Sequence, residues 1–441
     1  MMATQRCWTS VSRVLGRRPL LPPMFLLLVA TILYFVTILQ TPGTQKSQGN
    51  LPAHPLHPDD VGPTGRGSEI TLSERHKSHG GDVRDVIKQL GVVNDDGDYV
   101  VERLVGLYKK KMKVLTSKAL NVFPSPKKTC AQESNIFRPC LDDTCSDTFL
   151  HPPEENLRDL IRRQHVIPVK YLQLLRNLSA PSADSTDVTF LTAVSSSTYL
   201  EVQPLIKNLV EEVFPSQLDF RFYLYDLGLD DKQRYSFQNH CPQCQLRNFP
   251  FAQLPPVFSN LKSYTWKPAI IQAHLAVSEF VIWTDPSVRF TTSNLTSLLQ
   301  EVRERGMMVS MSATSTAIRT DARMYTYFGV TPCLMSRFLE VEGGFSLWHN
   351  SFYTQHVILY PWLACAFSPK CMYPYDKTPP PPSVYDCRMM VRRYGACHRF
   401  DQSAMSTILS KLYGDNVGYF IVRKGRIHKF NLHEKFQYLP D

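Results

Sequence analysis

Asp285 follows the apolar, β-rich run Phe280-Val281-Ile282-Trp283-Thr284 and precedes Pro286-Ser287-Val288-Arg289-Phe290. Ligands of open α/β sheets sit outside the carboxyl ends of the strands, so a carboxylate at such an end is placed to hold a cation. A divalent ion with hard oxygen ligands, Mn2+ for instance, would there neutralise charge on a bound diphosphate. The usual arrangement is Asp-x-Asp. Here Ser287 takes the place of the second carboxylate, which leaves either one carboxylate with ligands from elsewhere or no metal. The plainer alternative is an Asp that caps a turn before Pro286.

Two further segments carry suitable groups. In Glu340-Val341-Glu342-Gly343-Gly344-Phe345-Ser346-Leu347-Trp348, the glycine pair lets backbone approach a sugar while Trp348 or Phe345 stacks on its apolar face; a plain strand and turn is the alternative. His398-Arg399-Phe400-Asp401-Gln402-Ser403 opens a helix that runs to Leu412, with Asp401 where the helix dipole favours an anion. Asp401 and Glu342 are the candidates for a general base, and simple N-capping also accounts for Asp401. Arg399 and Lys267 are the cations placed to hold phosphate oxygens. His428 or His433 could supply a late metal ligand, against the ordinary case of a solvated histidine.

These groups need a scaffold. Val188–Val194 reads as a buried strand, a helical pattern follows over about Leu200–Val213, and Phe220–Asp226 supplies a second strand. A helix opened by Pro268 puts Ile270, Ile271, His274, Leu275 and Ser278 on one face and leads to the strand Phe280–Trp283. Met307–Ser312 reads as another strand. Strand, helix, strand at this spacing predicts an α/β domain with a mostly parallel central sheet. Before it, residues 121–185 form a cysteine-containing appendage with a helix near Glu154–Gln164. Residues 40–120 form a stem, extended to about Gly81 and partly helical beyond. Pro379–Pro382 is a rigid surface loop or an acceptor-side rim.

The blocks Trp266-Lys267-Pro268, Ile282-Trp283-Thr284-Asp285-Pro286-Ser287-Val288-Arg289-Phe290 and Cys397-His398-Arg399-Phe400-Asp401-Gln402-Ser403-Ala404 resemble those of a family of animal type II membrane proteins expanded in nematodes. That family is similar to the GT-A nucleotide-diphospho-sugar transferases, and the resemblance spans roughly residues 187–430. It implies a GT-A-like domain over 186–441 that moves a sugar from a nucleotide-sugar donor to a hydroxyl of a glycan or glycoprotein. Asp-x-Ser in place of Asp-x-Asp is frequent in that family. Donor contacts then fall to Lys267, Asp285, Ser287, Arg289 and Arg399, and acceptor contacts to Gly343, Gly344 and Trp348. Asp285 and His428 are the metal candidates. The rival expectation is a catalytically silent carbohydrate-binding protein on the same fold, to which the missing second carboxylate lends weight. A sulfotransferase is disfavoured because no Gly-rich basic phosphate loop follows the first strand.

The remaining features concern the address. Residues 19–39 hold no charge and are long enough to cross a bilayer as a helix. Arg6, Arg13, Arg17 and Arg18 precede them without an acidic residue, which keeps residues 1–18 cytosolic and sends the body across the membrane. A single-pass type II anchor in the Golgi is expected rather than a cleaved signal peptide. Cys7 is in the tail and ten cysteines follow the span, an even number suited to disulfides in an oxidising lumen. Disulfide pairing is also preferred over zinc for Cys241-Pro-Gln-Cys244. Asn177-Leu-Ser179 and Asn294-Leu-Thr296 are glycosylation sequons. Of 49 Lys and Arg, four lie in the tail, and the rest exceed 39 Asp and Glu by six with no dense basic block, so nucleic acid is not an expected partner.

Overall fold

The computed structural model describes residues 97–117, 151–179, 186–217, 219–375, 380–387, 394–395 and 397–440. The tail, the apolar run of residues 19–39, the extended stem and Cys130, Cys140 and Cys145 lie outside the described residues. Among the described residues, no helix is long and apolar enough to cross a membrane.

In chain order the helices are α1 (Gly97–Ser117), α2 (Pro153–Arg162), α3 (Val169–Leu178), α4 (Tyr199–Asn208), α5 (Asp231–His240), α6 (Trp266–Leu275), α7 (Thr296–Arg305), α8 (Ala322–Phe328), α9 (Pro332–Ser336), α10 (Tyr360–Phe367) and α11 (Phe400–Tyr413). The strands are β1 (Thr186–Val194), β2 (Phe220–Asp226), β3 (Cys244–Asn248), β4 (Ser278–Thr284), β5 (Val288–Phe290), β6 (Met307–Ser315), β7 (Leu339–His349), β8 (Ile421–Val422) and β9 (His428–Phe430). Seven of them form one sheet in the order β3-β2-β1-β4-β7-β6-β8, and β5 pairs with β9. Pairing is parallel from β3 through β4 and between β6 and β8; β7 alone runs antiparallel to its neighbours β4 and β6. The fold is therefore mixed α/β with a mostly parallel central sheet, as expected.

The sheet buries both faces. On one side Leu191, Tyr225, Trp283 and Trp348 pack with residues of α1, α2, α3, α6, α10 and α11. On the other, Phe190, Leu224, Ile282 and Leu347 pack with residues of α4 and α7. Strands covered on both faces need nearly continuous apolar runs, which is the composition of β1, β2 and β4.

Two expectations change. The helix foreseen from Pro268 begins at Trp266, and every residue but Gln272 is buried, because α6 lies between the sheet and the helices α3 and α10. A helix enclosed this way has no solvated face to reveal its period. Ser278, expected on that helix, is instead the first residue of β4. Second, the boundary drawn at residue 186 is not a boundary of packing. Val101, Leu104, Tyr108, Leu157 and Leu175 share the apolar cluster with the sheet, and Tyr108 Oη donates to the Leu412 carbonyl at 2.6 Å.

Cys241 pairs with Cys244, Cys365 with Cys371 and Cys387 with Cys397; Cys333 is disulfide-bonded as well. The zinc alternative for the first pair falls with its disulfide. The first three pairs each close a short loop.

Candidate functional site

Strand order places the site. The chain leaves β1 for β2 and β3 on one side and returns to β4 on the other, so a crevice opens at the carboxyl ends of β1 and β4, where such sheets take ligands. Asp285 stands at that edge. Its amide donates to the Gly344 carbonyl at 2.8 Å, and its carbonyl accepts from Val288 N at 3.0 Å, closing a β-turn with Pro286 at the second position. The turn capping foreseen as the plainer alternative is thus present, but it uses backbone and leaves the carboxylate free for other partners. Asp285 Oδ1 accepts from Trp283 Nε1 at 2.8 Å.

Across the edge, Arg399 precedes α11, which starts with Phe400 and Asp401, and α6 starts with Trp266 and Lys267. Lys267 Nζ lies 2.7 Å from Asp401 Oδ2 and 3.2 Å from Asp285 Oδ1, and donates to the Gly343 carbonyl at 3.0 Å. The Asp401 contact is an ion pair without hydrogen-bond alignment, since that oxygen has no hydrogen-bond partner among the described residues. Lys267 as a residue is 1 % exposed. Burial alone would push the Lys267 ammonium down, but Asp285 and Asp401 outweigh it and hold the group charged, well above the ordinary lysine range. Burial raises the Asp401 carboxyl and the Asp285 charge adds to it, against the lowering by Lys267.

The glycine pair fits this arrangement closely. A Cβ at Gly343 would stand 2.6 Å from Asp401 Oδ2, and one at Gly344 would stand 2.6 Å from Phe430 Cε1 and 3.3 Å from Asp285 Oδ2. Only glycine lets β7 pass between the two carboxylates and Phe430. Gln402 fastens the same stretch, its Oε1 accepting from Gly343 N and from Arg399 Nη2, both at 3.2 Å.

A cavity of about 320 Å³ opens above these groups, lined by Lys267, Asp285, Gly343, Gly344, Arg399 and Asp401 together with Lys262, Tyr264, Tyr385, His398, Phe400 and Gln402. Its charged lining is three cations and two carboxylates. Tyr264 (φ 54°) and Phe400 (φ 41°) are the two non-glycine residues with positive φ among the described residues, and both face it. Such conformers cost on the order of 1–3 kcal/mol each and gather at functional sites. Tyr385 stacks on Phe400 at 5.6 Å, so aromatic faces flank the cavity.

Other expected residues are elsewhere. Trp348 is fully buried in a central strand, donating to Ser346 Oγ at 2.9 Å and stacked on Trp362 at 5.9 Å; it has no face left for a sugar. Phe345 is buried too, stacked on His428 at 3.8 Å. Glu342 is ion-paired with Lys424 and does not line the cavity. Arg289 spends its guanidinium on Glu434 Oε2 at 2.8 Å and on the carbonyls of Pro286 and Val288, both at 2.7 Å. Ser287 is buried outside the cavity lining.

A metal centre does not fit the residues present. His428 is buried with Nε2 at 2.7 Å from Ser310 Oγ, and burial pushes its imidazole down to about 3. Among the described residues, no group of three or more His, Cys, Asp and Glu is arranged to hold an ion. The gap between Asp285 and Asp401 is filled by the Lys267 ammonium.

Tyr264, Lys262 and Tyr385 were missed by sequence reasoning. Lys262 and Tyr264 lie just ahead of Trp266-Lys267-Pro268, and Tyr385 follows the proline run weighed as a rim. Asn177 and Asn294 are both exposed.

Fold and cavity together describe an α/β protein with a carboxylate-and-cation crevice at the carboxyl edge of its sheet. Residues 163–272 match the family described as a protein of unknown function, DUF1647. That span takes in β1 to β3 and Lys267 but ends before Asp285. No curated protein matches the sequence. Similar solved structures include the mannosyltransferase Ktr4p from S. cerevisiae, 12 % identical, with 76 % of this chain and 88 % of that chain covered at a TM-score of 0.32. The galactosyltransferase LgtC, with donor and acceptor sugar analogues, is 13 % identical over 53 % of this chain and 72 % of that one, TM-score 0.32. Core-mannan synthase A from Aspergillus fumigatus, in a Mn/GDP form, is 9 % identical over 58 % and 77 %, TM-score 0.31.

Proposed function

We propose that this protein is a GT-A-type glycosyltransferase that moves a sugar from a nucleotide-sugar donor to a hydroxyl of a glycan or glycoprotein. The observation that carries the reading is the Asp285–Lys267–Asp401 group, at the crevice where an α/β sheet of this order binds ligands. Arg399 and Lys262 supply positive charge for the donor diphosphate. Tyr264 and Tyr385 offer ring faces to a sugar.

In an inverting transfer, the acceptor hydroxyl oxygen bonds to the anomeric carbon as the bond from that carbon to the diphosphate oxygen breaks. The hydroxyl proton passes to Asp401, and the leaving diphosphate takes the bonding electrons and rests against Arg399. A carboxylate whose proton affinity is raised by burial is better suited to accept that proton than one in water. The apolar run of residues 19–39, with the arginines before it, supports a type II anchor in the Golgi membrane and a lumenal site. The disulfides suit an oxidising lumen.

The test is a screen of the full-length protein in detergent against radiolabelled UDP-, GDP- and ADP-sugars, with mixed glycan acceptors and with water. Transfer or hydrolysis that is lost in Asp285→Ala and Asp401→Asn supports the reading. Glycan binding with neither binding nor turnover of any nucleotide sugar would replace it by the silent carbohydrate-binding protein.

A further inference from the structure

The ammonium of Lys267 sits in an all-oxygen shell made by Asp401 Oδ2, Asp285 Oδ1 and the Gly343 carbonyl at 2.7, 3.2 and 3.0 Å. Those are the hard ligands a divalent cation would take from the same residues. The position is costly for a lysine. It is wholly buried, and it lies in the first turn of α6, where the helix dipole repels a cation. The rings of Tyr264, Trp283 and Trp266 face the ammonium at 5.3, 5.4 and 5.9 Å, which favours positive charge at that point. Gly343 is held to zero side chain by Asp401, so the cation, both carboxylates and the strand form one fitted unit. The second carboxylate absent at Ser287 is present after all, brought by α11, but a fixed cation already lies between the pair.

We propose that Lys267 occupies the position of the divalent cation, so that donor binding in this protein does not require metal. The proposal rests on the transferase reading above. Three protein oxygens lie within 3.2 Å of the ammonium, which neutralises Asp285 and Asp401 and leaves Arg399 and Lys262 as the cavity's cations for a diphosphate. With the trio counted together, the lining carries one excess positive charge for an anionic ligand.

Isothermal titration of the full-length protein with UDP, GDP and ADP, each in EDTA and in Mn2+, tests this. The affinity of whichever nucleotide binds should agree between the two conditions within about twofold. Tightening by Mn2+ of about tenfold or more, reversed by EDTA, would overturn the proposal and leave the transferase reading intact. Failure of every nucleotide to bind in either condition would overturn both. In Lys267→Ala, the carboxylates face each other without a counter-ion, so Mn2+ should raise its melting temperature while Lys267→Arg stays indifferent. A folded Lys267→Ala protein that ignores Mn2+ also overturns the proposal. If that variant does not fold, the wild-type titrations decide alone.

Discussion

Gly343→Ala is the most exacting test of the geometry, because it adds a single methyl group at a point where the structure leaves no room. The new Cβ would meet Asp401 Oδ2 at 2.6 Å and its Cγ at 3.3 Å, while ordinary contact begins at 3.4 Å, so the carboxylate oxygen must move by about 0.8 Å. It cannot swing freely, because Lys267 holds that oxygen at 2.7 Å and Gln402 Cβ lies 3.5 Å from the same methyl. Overpacking of this kind costs about 1–3 kcal/mol. For a body of this size, that is a fall of a few degrees in melting temperature, at about 2–4 °C per kcal/mol or less. A displacement near 1 Å in a reacting group costs about 100-fold in rate. Activity should therefore fall far more than stability. The assay pairs donor turnover, with the nucleotide sugar returned by the screen, with thermal unfolding of the same sample. Gly106→Ala is the control: it lies in α1 with nothing within 4 Å of its added Cβ, and should hold or gain stability by up to about 1 kcal/mol without touching turnover. A Gly343→Ala protein with wild-type turnover and melting would refute the claim that Asp401 is pinned against β7.

Other perturbations probe separate parts of the argument. Asp285→Ala strands Trp283 Nε1 and removes one of the two carboxylates that hold Lys267 in place, so turnover should fall at least about tenfold in folded protein; unchanged turnover would remove Asp285 from the site. Trp348→Phe loses the bond to Ser346 Oγ and part of the Trp362 stack, costing about 1–3 kcal/mol in denaturant unfolding, with the acceptor KM unchanged; a raised acceptor KM would restore Trp348 to the sugar site. Burial pushes the imidazoles of His274 and His398 down to about 3 and about 4 from 6.5. Between those values and 6.5 the unfolded chain binds more protons than the folded one, so their contribution is intact above pH 6.5 and is lost as pH falls below it. Each should cost about 2 kcal/mol at pH 5, and a melting temperature flat from pH 7.5 to 5 would contradict their burial as neutral rings.

The parts legible in the sequence were those whose signal is local. Phe220–Asp226 reads as a strand from seven consecutive residues, and the end of β4 at Thr284 follows from Asp285-Pro286, where a turn must begin. The glycine pair was different. Gly343-Gly344 invites a turn, yet both residues lie within one eleven-residue strand, because what they accommodate is Asp401 and Phe430 from far along the chain. No local pattern carries that contact. Trp348 shows the converse: five residues beyond Gly343 in the motif, it lies in the apolar layer against Trp362 in α10, where neither neighbouring strand, β4 or β6, leaves it exposed.

Lys267 joins these two cases. Its identity in Trp266-Lys267-Pro268 made it a candidate phosphate ligand, a role that would spend its charge on the substrate. In the folded chain the charge is spent on Asp285 and Asp401, and the other cations lining the cavity are Arg399, two residues before Asp401, and Lys262, outside every motif. The type of each residue indicated which charges the site would contain. Which charge met which depended on α6, β7 and α11 converging at one edge of the sheet, and convergence of elements separated by more than about fifty residues is set by packing, not by spacing in the sequence.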